Sequence, residues 1–346
     1  YAALEWLRFT AGLDSNRLRR LASRSVRIGQ LKPAGISGAI KLPATRVLAG
    51  RIENAVRLPE PEEITYQEDG LVGYLRFPFL NGAMGTGACR RLLRAFQAAT
   101  TRPTRVIVLL GGPDFWSNGL DLNEIEAASS AADQSWDNIN AIDDLSETII
   151  RTTSHVVVSA LCGNAGAGGV FLARAADEVW ARRGVILNPH YKDMGNLFGS
   201  ELWTYLLPKH AGDACAHTIT QSRLPMGVDE AKRLALVSSI FDVERAQFEA
   251  EVARSANLLA IDPLLDHRLK DKVDQRINDE ASKPLKAYRE EELSRMRRNF
   301  YGFDPSYHIA RYNFVHKVPK SRTPLTIAHH RNQKFGNKAT IKGAAE

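Results

Sequence analysis

Cysteine is scarce in this 346-residue sequence, and the three that occur, Cys89, Cys162 and Cys215, are odd in number and far apart. This spacing argues against a disulfide framework and a zinc site, and it favours a reducing compartment. The nine histidines form no HExxH motif and do not pair with cysteines at metal-ligand spacing. We therefore expect no metal cofactor, because nothing in the sequence supplies the three or four ligands of such a site.

Long apolar runs are also missing. No run approaches the roughly 18 residues that a membrane span requires, so we expect no membrane association. The charged and then apolar pattern of an export leader is not visible at the start, and the cytoplasm is the expected location. Because the first residue is Tyr1 rather than Met, we expect a fragment or a processed chain.

Acidic residues are fewer than basic ones, and the formal net charge is +7 at pH 7. Arginines crowd residues 1–60, and basic side chains recur from Lys317 onward. A solvated surface would explain this excess, as would an acidic ligand such as a phosphorylated cofactor, or nucleic acid. No nucleic-acid-binding signature accompanies the charge, so we expect a phosphate-bearing small molecule rather than nucleic acid.

A glycine-rich turn follows the most apolar strand pattern of the chain. Residues 154–161 are rich in β-branched side chains and predict a buried strand, residues 163–169 have the sequence GNAGAGG, and residues 170–176 suit a buried helix. Such a turn brings free backbone N–H groups to a helix N-terminus, where they can hold an anion or a developing oxyanion.

The middle of the chain repeats the order strand, glycine-bearing turn, helix, which predicts an α/β fold with mainly parallel strands. Asp69 and Gly70 predict a hairpin. Residues 264–300 carry dense alternating charges that suit an exposed or packing helix. The last 45 or so residues show no clear hydrophobic periodicity.

Three segments together resemble the crotonase (enoyl-CoA hydratase/isomerase) superfamily. Residues 106–122 are similar to that family's strand followed by F-S-A-G-x-D-L, residues 163–169 to its G-x-A-x-G-G-G turn, and residues 224–242 to its following helix. The resemblance implies an α/β fold, a crotonase-like spiral of ββα units with a C-terminal helical region. It also implies a CoA thioester as the bound partner.

In that superfamily, two loops each give one backbone N–H to the thioester oxygen. By position these are the amides of Leu120 and Gly168, which lie just past a glycine where free donors are expected. Two ordinary tight turns are the alternative interpretation. The resemblance implies CoA-thioester contacts from Asn118, Gly119, Leu120, Asp121, Leu122, Gly168 and Gly169.

The two glutamates that serve hydratases as general acid and base are missing. At the corresponding positions the chain has Phe171 and Tyr191. A hydratase needs both carboxylates to activate water and to protonate the α-carbon, so we do not expect ordinary alkene hydration. The fold and the oxyanion hole are predicted to be kept while the chemistry differs.

Residues 188–205 stand where the second glutamate is expected. With the two loops, they resemble the HypX (HoxX) family of hydrogenase maturation factors, and residues 307–319 resemble that family's C-terminal segment. Members of this family join a region that uses formyl-tetrahydrofolate to a C-terminal crotonase-like domain. They make the carbon monoxide ligand of [NiFe]-hydrogenases through formyl-CoA.

The resemblance implies a lyase-type formyl-CoA decarbonylase in which Tyr191 and Glu201 move the proton. Coenzyme A, as formyl-CoA, is the implied cofactor, and formyl-tetrahydrofolate is implied only through a missing N-terminal region. The implied protein partners are the maturation proteins that assemble the Fe(CN)2CO centre.

Two alternatives stay open, namely a hydratase or isomerase that uses other residues and a non-catalytic CoA-binding assembly module. If the pair has no catalytic role, Tyr191 would be a packed aromatic side chain and Glu201 a carboxylate at the start of a helix.

Three regions are predicted along the chain. Residues 1–60 would be the remnant of a formyltransferase C-terminal-like barrel with a linker, as the resemblance and a strand pattern at 26–44 suggest. Residues 61–262 would form the crotonase-like CoA-thioester domain, and residues 263–346 a helical, basic C-terminal extension.

Overall fold

The computed structural model describes residues 64–221 and 223–318, so the predicted barrel remnant within 1–60 lies outside the described residues. The strands are β1 (Thr65–Asp69), β2 (Val72–Phe77), β3 (Val106–Gly111), β4 (Phe115–Ser117), β5 (Val156–Leu161), β6 (Asn164–Gly166), β7 (Glu178–Arg182), β8 (Ile186–Asn188), β9 (Met226–Gly227) and β10 (Ser239–Phe241). The helices are α1 (Thr86–Ala99), α2 (Leu122–Ala127), α3 (Ala131–Arg151), α4 (Gly168–Arg174), α5 (Trp203–Ala211), α6 (Asp213–Gln221), α7 (Val228–Arg233), α8 (Arg245–Ala260), α9 (Leu265–Ser282), α10 (Leu285–Tyr301) and α11 (Ser306–Val315).

Two sheets organise the strands. The larger has the order β1-β2-β3-β5-β7-β10, and the smaller has the order β4-β6-β8-β9. In the larger sheet β1 and β2 form the predicted antiparallel hairpin, and the other neighbours are parallel. Strands β3, β5 and β7 are each followed by one strand of the smaller sheet and then by a helix. This repetition confirms the predicted α/β spiral of ββα units.

Apolar side chains cover both faces of the larger sheet, because its strands alternate between two cores. In β3, Val106, Val108 and Leu110 face a core formed with α8, while Ile107 and Leu109 face the main core. The parallel strands are therefore buried on both sides, as their nearly continuous apolar sequences require.

The helices differ from the sequence expectation in three places. Helix α4 ends at Arg174 rather than Ala176, and the guanidinium of Arg174 donates to the carbonyls of Ala176 and Asp177 (both 2.8 Å). The charged stretch at 264–300 is two helices, α9 and α10, because Pro284 cannot continue a helix. Within the predicted helical extension at 263–346, the sequence pattern set no bounds for α11.

The C-terminal helices belong to the same packed body as the spiral. Residues of α10 and α11 are fully buried in the main core, including Met296, Phe300 and Tyr307. Over residues 64–221 and 223–318, no helix is both long enough and apolar enough to cross a membrane.

Candidate active site

The glycine turn between β6 and α4 lies directly against the loop between β4 and α2. Strands β4 and β6 pair in parallel, which brings the ends of the two segments together. Gly119 has φ +72°, and a Cβ added there would lie 3.2 Å from the amide nitrogen of Gly168. Only glycine combines this backbone conformation with so close an approach. The structure therefore brings the two loops into contact.

The loop between β4 and α2 is held by hydrogen bonds from both backbone groups of Gly119. Its carbonyl accepts from the Met84 amide (2.9 Å), and its amide donates to Ser117 Oγ (3.1 Å). The side chain of Asn118 donates to the Asn81 carbonyl (2.7 Å), and Asp121 caps α2 by accepting from two amides of its first turn. These two side chains are therefore engaged in shaping the loop.

The amides of Leu120 and Gly168 remain available as donors. In the part of the chain that the structure describes, no group accepts a hydrogen bond from either amide. Gly168 is the first residue of α4, where unpaired N–H groups are expected, and Gly169 and Leu122 likewise occupy the starts of helices. The arrangement can therefore stabilise negative charge on an oxygen placed near the two loops.

Tyr191 and Glu201 form a buried hydrogen-bonded pair beside the glycine turn. Tyr191 is 8% exposed and Glu201 is 1% exposed. The Tyr191 hydroxyl donates to Oε2 of Glu201. The other carboxyl oxygen lies so close to Gly168 that a Cβ at position 168 would overlap it. The structure thus unites the predicted pair with the predicted oxyanion loop.

Phe171, which replaces the first hydratase glutamate, supports this pair. Its ring stacks on that of Tyr191 with centroids 5.4 Å apart and an interplanar angle of 27°. Phe171 itself is fully buried. An apolar ring at this position restricts the orientation of the tyrosine ring.

Glu201 precedes α5 rather than starting it. Its φ is 61°, that of Leu202 is 59°, and the helix begins at Trp203. Two successive non-glycine residues in the left-handed region are uncommon, and such backbone strain clusters at functional sites. The interpretation of Glu201 as a helix-start carboxylate is therefore wrong, because the turn directs its carboxylate to Gly168.

The pKa values of Tyr191 and Glu201 are both raised above their ordinary values. Burial, and then the nearby charge of Asp143, raise the pKa of Glu201 to about 8. Burial and the Glu201 charge raise the pKa of Tyr191 well above 10. A carboxyl group with a pKa near neutral is suited to accept and return a proton under physiological conditions.

Two further buried acids surround the pair, and sequence reasoning missed both. Asp143 on α3 and Glu292 on α10 are both fully buried. Burial raises the pKa of Asp143 to about 6, and burial with the Asp143 charge raises that of Glu292 to about 8. Ser200 Oγ lies between them, 2.6 Å from Asp143 Oδ2 and 3.2 Å from Glu292 Oε2. We call Asp143, Glu201 and Glu292 the acid cluster.

Asp143 left a detectable signal in the sequence, whereas Glu292 did not. Asp143 falls on the apolar face of α3, next to Ile139 and Ile142, which are buried. An acid on such a face needs a buried partner. Glu292 lies in a helix that is charged on most sides, and only the folded chain distinguishes it. Among the described residues, no group of three His, Cys, Asp or Glu side chains could hold a metal ion.

Comparisons with known proteins agree with this geometry. The enoyl-CoA hydratase/isomerase family model matches residues 75–299. The hydrogenase maturation factor HoxX of Bradyrhizobium diazoefficiens is 61% identical over 298 residues, which cover 85% of this chain and 52% of HoxX. The crystal structure of HypX from Aquifex aeolicus in complex with tetrahydrofolic acid is 46% identical, with a TM-score of 0.75, and the match covers 78% of this chain and 48% of HypX.

The chain spans about half the length of these two relatives. An enoyl-CoA hydratase from Bacillus halodurans shares the fold over 72% of this chain and 98% of its own, with a TM-score of 0.62 and 17% identity. The predicted resemblance to HypX (HoxX) maturation factors and the predicted crotonase-like fold are both confirmed. With a family match over 225 residues, two glycine loops in contact and the spiral of ββα units, the chain belongs to the enoyl-CoA hydratase/isomerase family.

Proposed function

We propose that this site converts formyl-CoA into carbon monoxide and CoA, as the CO-forming step of [NiFe]-hydrogenase maturation. The observation that carries the proposal is the buried Tyr191–Glu201 pair set against Gly168. Family membership supports a CoA thioester as the substrate class. The likeness to HoxX supports a role in hydrogenase maturation.

The reaction balances without water, metal or redox partner. The formyl carbon loses its proton, the electron pair of the C–S bond leaves with sulfur, and one proton is delivered to the thiolate. The products are CO and the free thiol of CoA. A site that moves one proton over a short distance and excludes water meets these needs.

The amides of Leu120 and Gly168 would hold the formyl oxygen. Hydrogen bonds to this oxygen would polarise the carbonyl, and fixed backbone donors would hold the formyl group in place for proton removal without reorganisation. Losing one such donor typically costs roughly 3–4 kcal/mol of transition-state stabilisation. Gly169 and the loop at 118–122 would complete the walls around the thioester.

Glu201 would take the formyl proton, the Tyr191 hydroxyl would protonate sulfur, and the proton on Glu201 would then pass to the Tyr191 oxygen, which restores both groups. One carboxyl oxygen of Glu201 lies against Gly168, and the other accepts from Tyr191. Proton uptake at one oxygen therefore weakens the bond to the hydroxyl at the other. The pKa of Glu201, raised to about 8, keeps both protonation states accessible near neutral pH.

The formyl group and the recipient of CO lie outside this chain in the proposal. The HypX relative was crystallised with tetrahydrofolic acid, which supports a folate-derived formyl group as the source. We assign that step to the part of the relatives that this chain does not span. The released CO would pass to the proteins that assemble the Fe(CN)2CO centre.

The test is to incubate the chain with formyl-CoA and to trap CO with reduced haemoglobin. We expect Glu201→Gln and Tyr191→Phe each to lower CO release by a factor of about 100 or more, because each removes a proton-transfer group. CoA binding should persist in both variants. Tyr205→Phe is the matched control, because Tyr205 is also a buried tyrosine that donates to an acid, Asp279 (2.7 Å), away from this site.

Each alternative has its own outcome in the same assay. Wild-type CO output from both Glu201→Gln and Tyr191→Phe would refute the assignment. Hydration of crotonyl-CoA would favour an ordinary hydratase that uses other residues. CoA binding without turnover of either thioester would favour the non-catalytic assembly module.

A further inference from the structure

Helix α10 holds the segment that presents Glu201 by accepting hydrogen bonds from its backbone. Four amides between residues 198 and 204 donate to side chains of this one helix, although the helix lies about 90 residues further along the chain. The pairs are Phe198 with Asn299 (3.1 Å), Gly199 with Met296 (3.2 Å), Leu202 with Glu292 (3.0 Å) and Thr204 with Glu292 (2.8 Å).

Glu292 makes the largest share of these contacts. Its Oε1 accepts from the amide and the hydroxyl of Thr204, and its Oε2 accepts from the Leu202 amide and lies 3.2 Å from Ser200 Oγ. These donors include the first free amides of α5, where a carboxylate is favoured by the helix dipole. One fully buried side chain therefore fixes both the end of the turn and the start of the helix.

The turn needs such support because it is strained. Glu201 and Leu202 both have positive φ, a backbone conformation that is unfavourable for residues other than glycine. Such a conformation persists only where the surroundings determine it. Glu292 fixes the amide of Leu202, and Asp143 fixes the amide of Glu201 (2.8 Å).

Titratable groups surround Glu201 on every element packed against it. Tyr191 donates to Glu201 from the same segment between β8 and α5, Asp143 faces Glu201 from α3, and Cys89 lies nearby on α1. Glu292 faces it from α10, where Arg289 approaches Asp143 at 3.8 Å but also pairs with two other acids. The acid cluster is therefore short of positive charge, and each acid disfavours ionisation of the others.

We propose that Glu292 is a positioning residue that fixes the Glu201 carboxylate against Gly168 through the backbone of residues 200–204. The C-terminal helical region thereby completes the active site instead of merely extending the domain. This inference rests on the proposed function of Glu201 as the proton-transfer group. Glu292 itself does not touch the reacting atoms in the proposal.

The experiment compares Glu292→Gln with the wild-type 346-residue chain. Difference infrared spectroscopy across a pH series measures the protonated carboxyl of Glu201, which is assigned by its loss in Glu201→Gln. Removing the neighbouring charge should shift the Glu201 titration to lower pH by about one unit. The kcat of CO release should fall at least roughly tenfold with KM little changed, because the carboxylate is misplaced while the thioester still binds.

Glu290→Gln is the matched control, since Glu290 is on the same helix but its side chain is 66% exposed. It should leave both readouts unchanged. Glu292→Asp keeps the charge but shortens the arm, so its Glu201 titration should stay near wild type while kcat falls; it also serves if Glu292→Gln does not fold.

Two results would overturn the inference. One is an unshifted Glu201 titration in folded Glu292→Gln, and the other is full kcat in Glu292→Asp. If the wild type releases no CO, the proposed function fails, whereas the titration still decides whether Glu292 controls Glu201.

Discussion

Two groups of charged side chains are packed against the C-terminal helices, and they differ in charge balance. The acid cluster places three nearly inaccessible carboxyls together with Arg289 as the nearest cation. The second group, which we call the paired cluster, consists of Tyr205, Lys209, Arg276 and Asp279. Here Asp279 accepts from Lys209 (2.5 Å) and Tyr205 (2.7 Å), and Arg276 lies 3.4 Å away.

The two clusters displace the pKa values of their acids in opposite directions. Burial raises the pKa of Asp279, but hydrogen bonds from Lys209 and Tyr205 outweigh it, and the net shift is downward. In the acid cluster burial dominates, and the pKa of Glu201 rises to about 8. A carboxyl that folding keeps partly protonated can do proton chemistry, whereas a paired carboxylate serves as a structural anchor.

The largest effect should come from adding one methyl group between the glycine turn and the acid cluster. In Gly168→Ala the new Cβ would overlap the Glu201 carboxylate, which the surrounding hydrogen bonds prevent from moving away. A displacement on the order of 1 Å can reduce turnover about 100-fold, so we expect that loss of CO release. The rate is measured by trapping CO from formyl-CoA under saturating substrate.

Gly227→Ala is the control for this substitution. A Cβ at Gly227 meets no atom within 4 Å, and the residue also precedes a helix, α7. This variant should keep the wild-type rate. A folded Gly168→Ala protein with full activity would show that Glu201 does not work in contact with the glycine turn.

The two glycine loops and their contact were predictable from sequence because their signals are local. A strand, a run of small residues and a helix occur within about twenty positions at 154–173, and that order fixes the geometry of the turn. Phe171 and Tyr191 could also be located, since they replace glutamates at fixed distances from this turn. The resemblance to a known family then supplied Glu201, which local pattern alone left as a helix start.

The support of Glu201 was not predictable, because it comes from residues far away in sequence. Asp143 is 58 positions before Glu201, and Glu292 is 91 positions after it. No periodicity links such positions, and α10 shows charges on most sides. The position of helix α11 within the predicted helical extension was not predictable for a similar reason, since its buried residues, among them Tyr307 and Arg311, are partly polar and depend on tertiary partners.

The acid cluster should also make folding stability fall as the solution becomes alkaline. Glu201 and Glu292 have folded pKa values raised to about 8 from 4.5, so the stability linked to their protonation is present at low pH and is lost up to about pH 8. Above pH 7 the buried histidines, whose pKa values are lowered, are neutral in both states and do not interfere.

Chemical denaturation at pH 7 and pH 8.5 measures this loss. We expect the wild-type free energy of unfolding to drop on the order of 1 kcal/mol over that interval. Glu201→Gln lacks the titrating carboxyl at position 201 and keeps only that of Glu292, so it should show a clearly smaller drop. Equal pH dependence in the two proteins would mean that Glu201 is ionised throughout and that its cluster is not short of positive charge.

The smallest effect should follow from breaking the paired cluster. Asp279→Asn removes the carboxylate that Lys209, Tyr205 and Arg276 share, but Lys209 is partly exposed to solvent, and Arg276 keeps Glu280 at 2.9 Å. Because the Asp279 side chain is 27% exposed, screening limits the loss to roughly 0.5 kcal/mol of unfolding free energy. CO release and the Glu201 titration should not change. A change in either would mean that the two clusters are coupled through α9 and α10, and the division into an anchoring and a reactive group of charges would then be wrong.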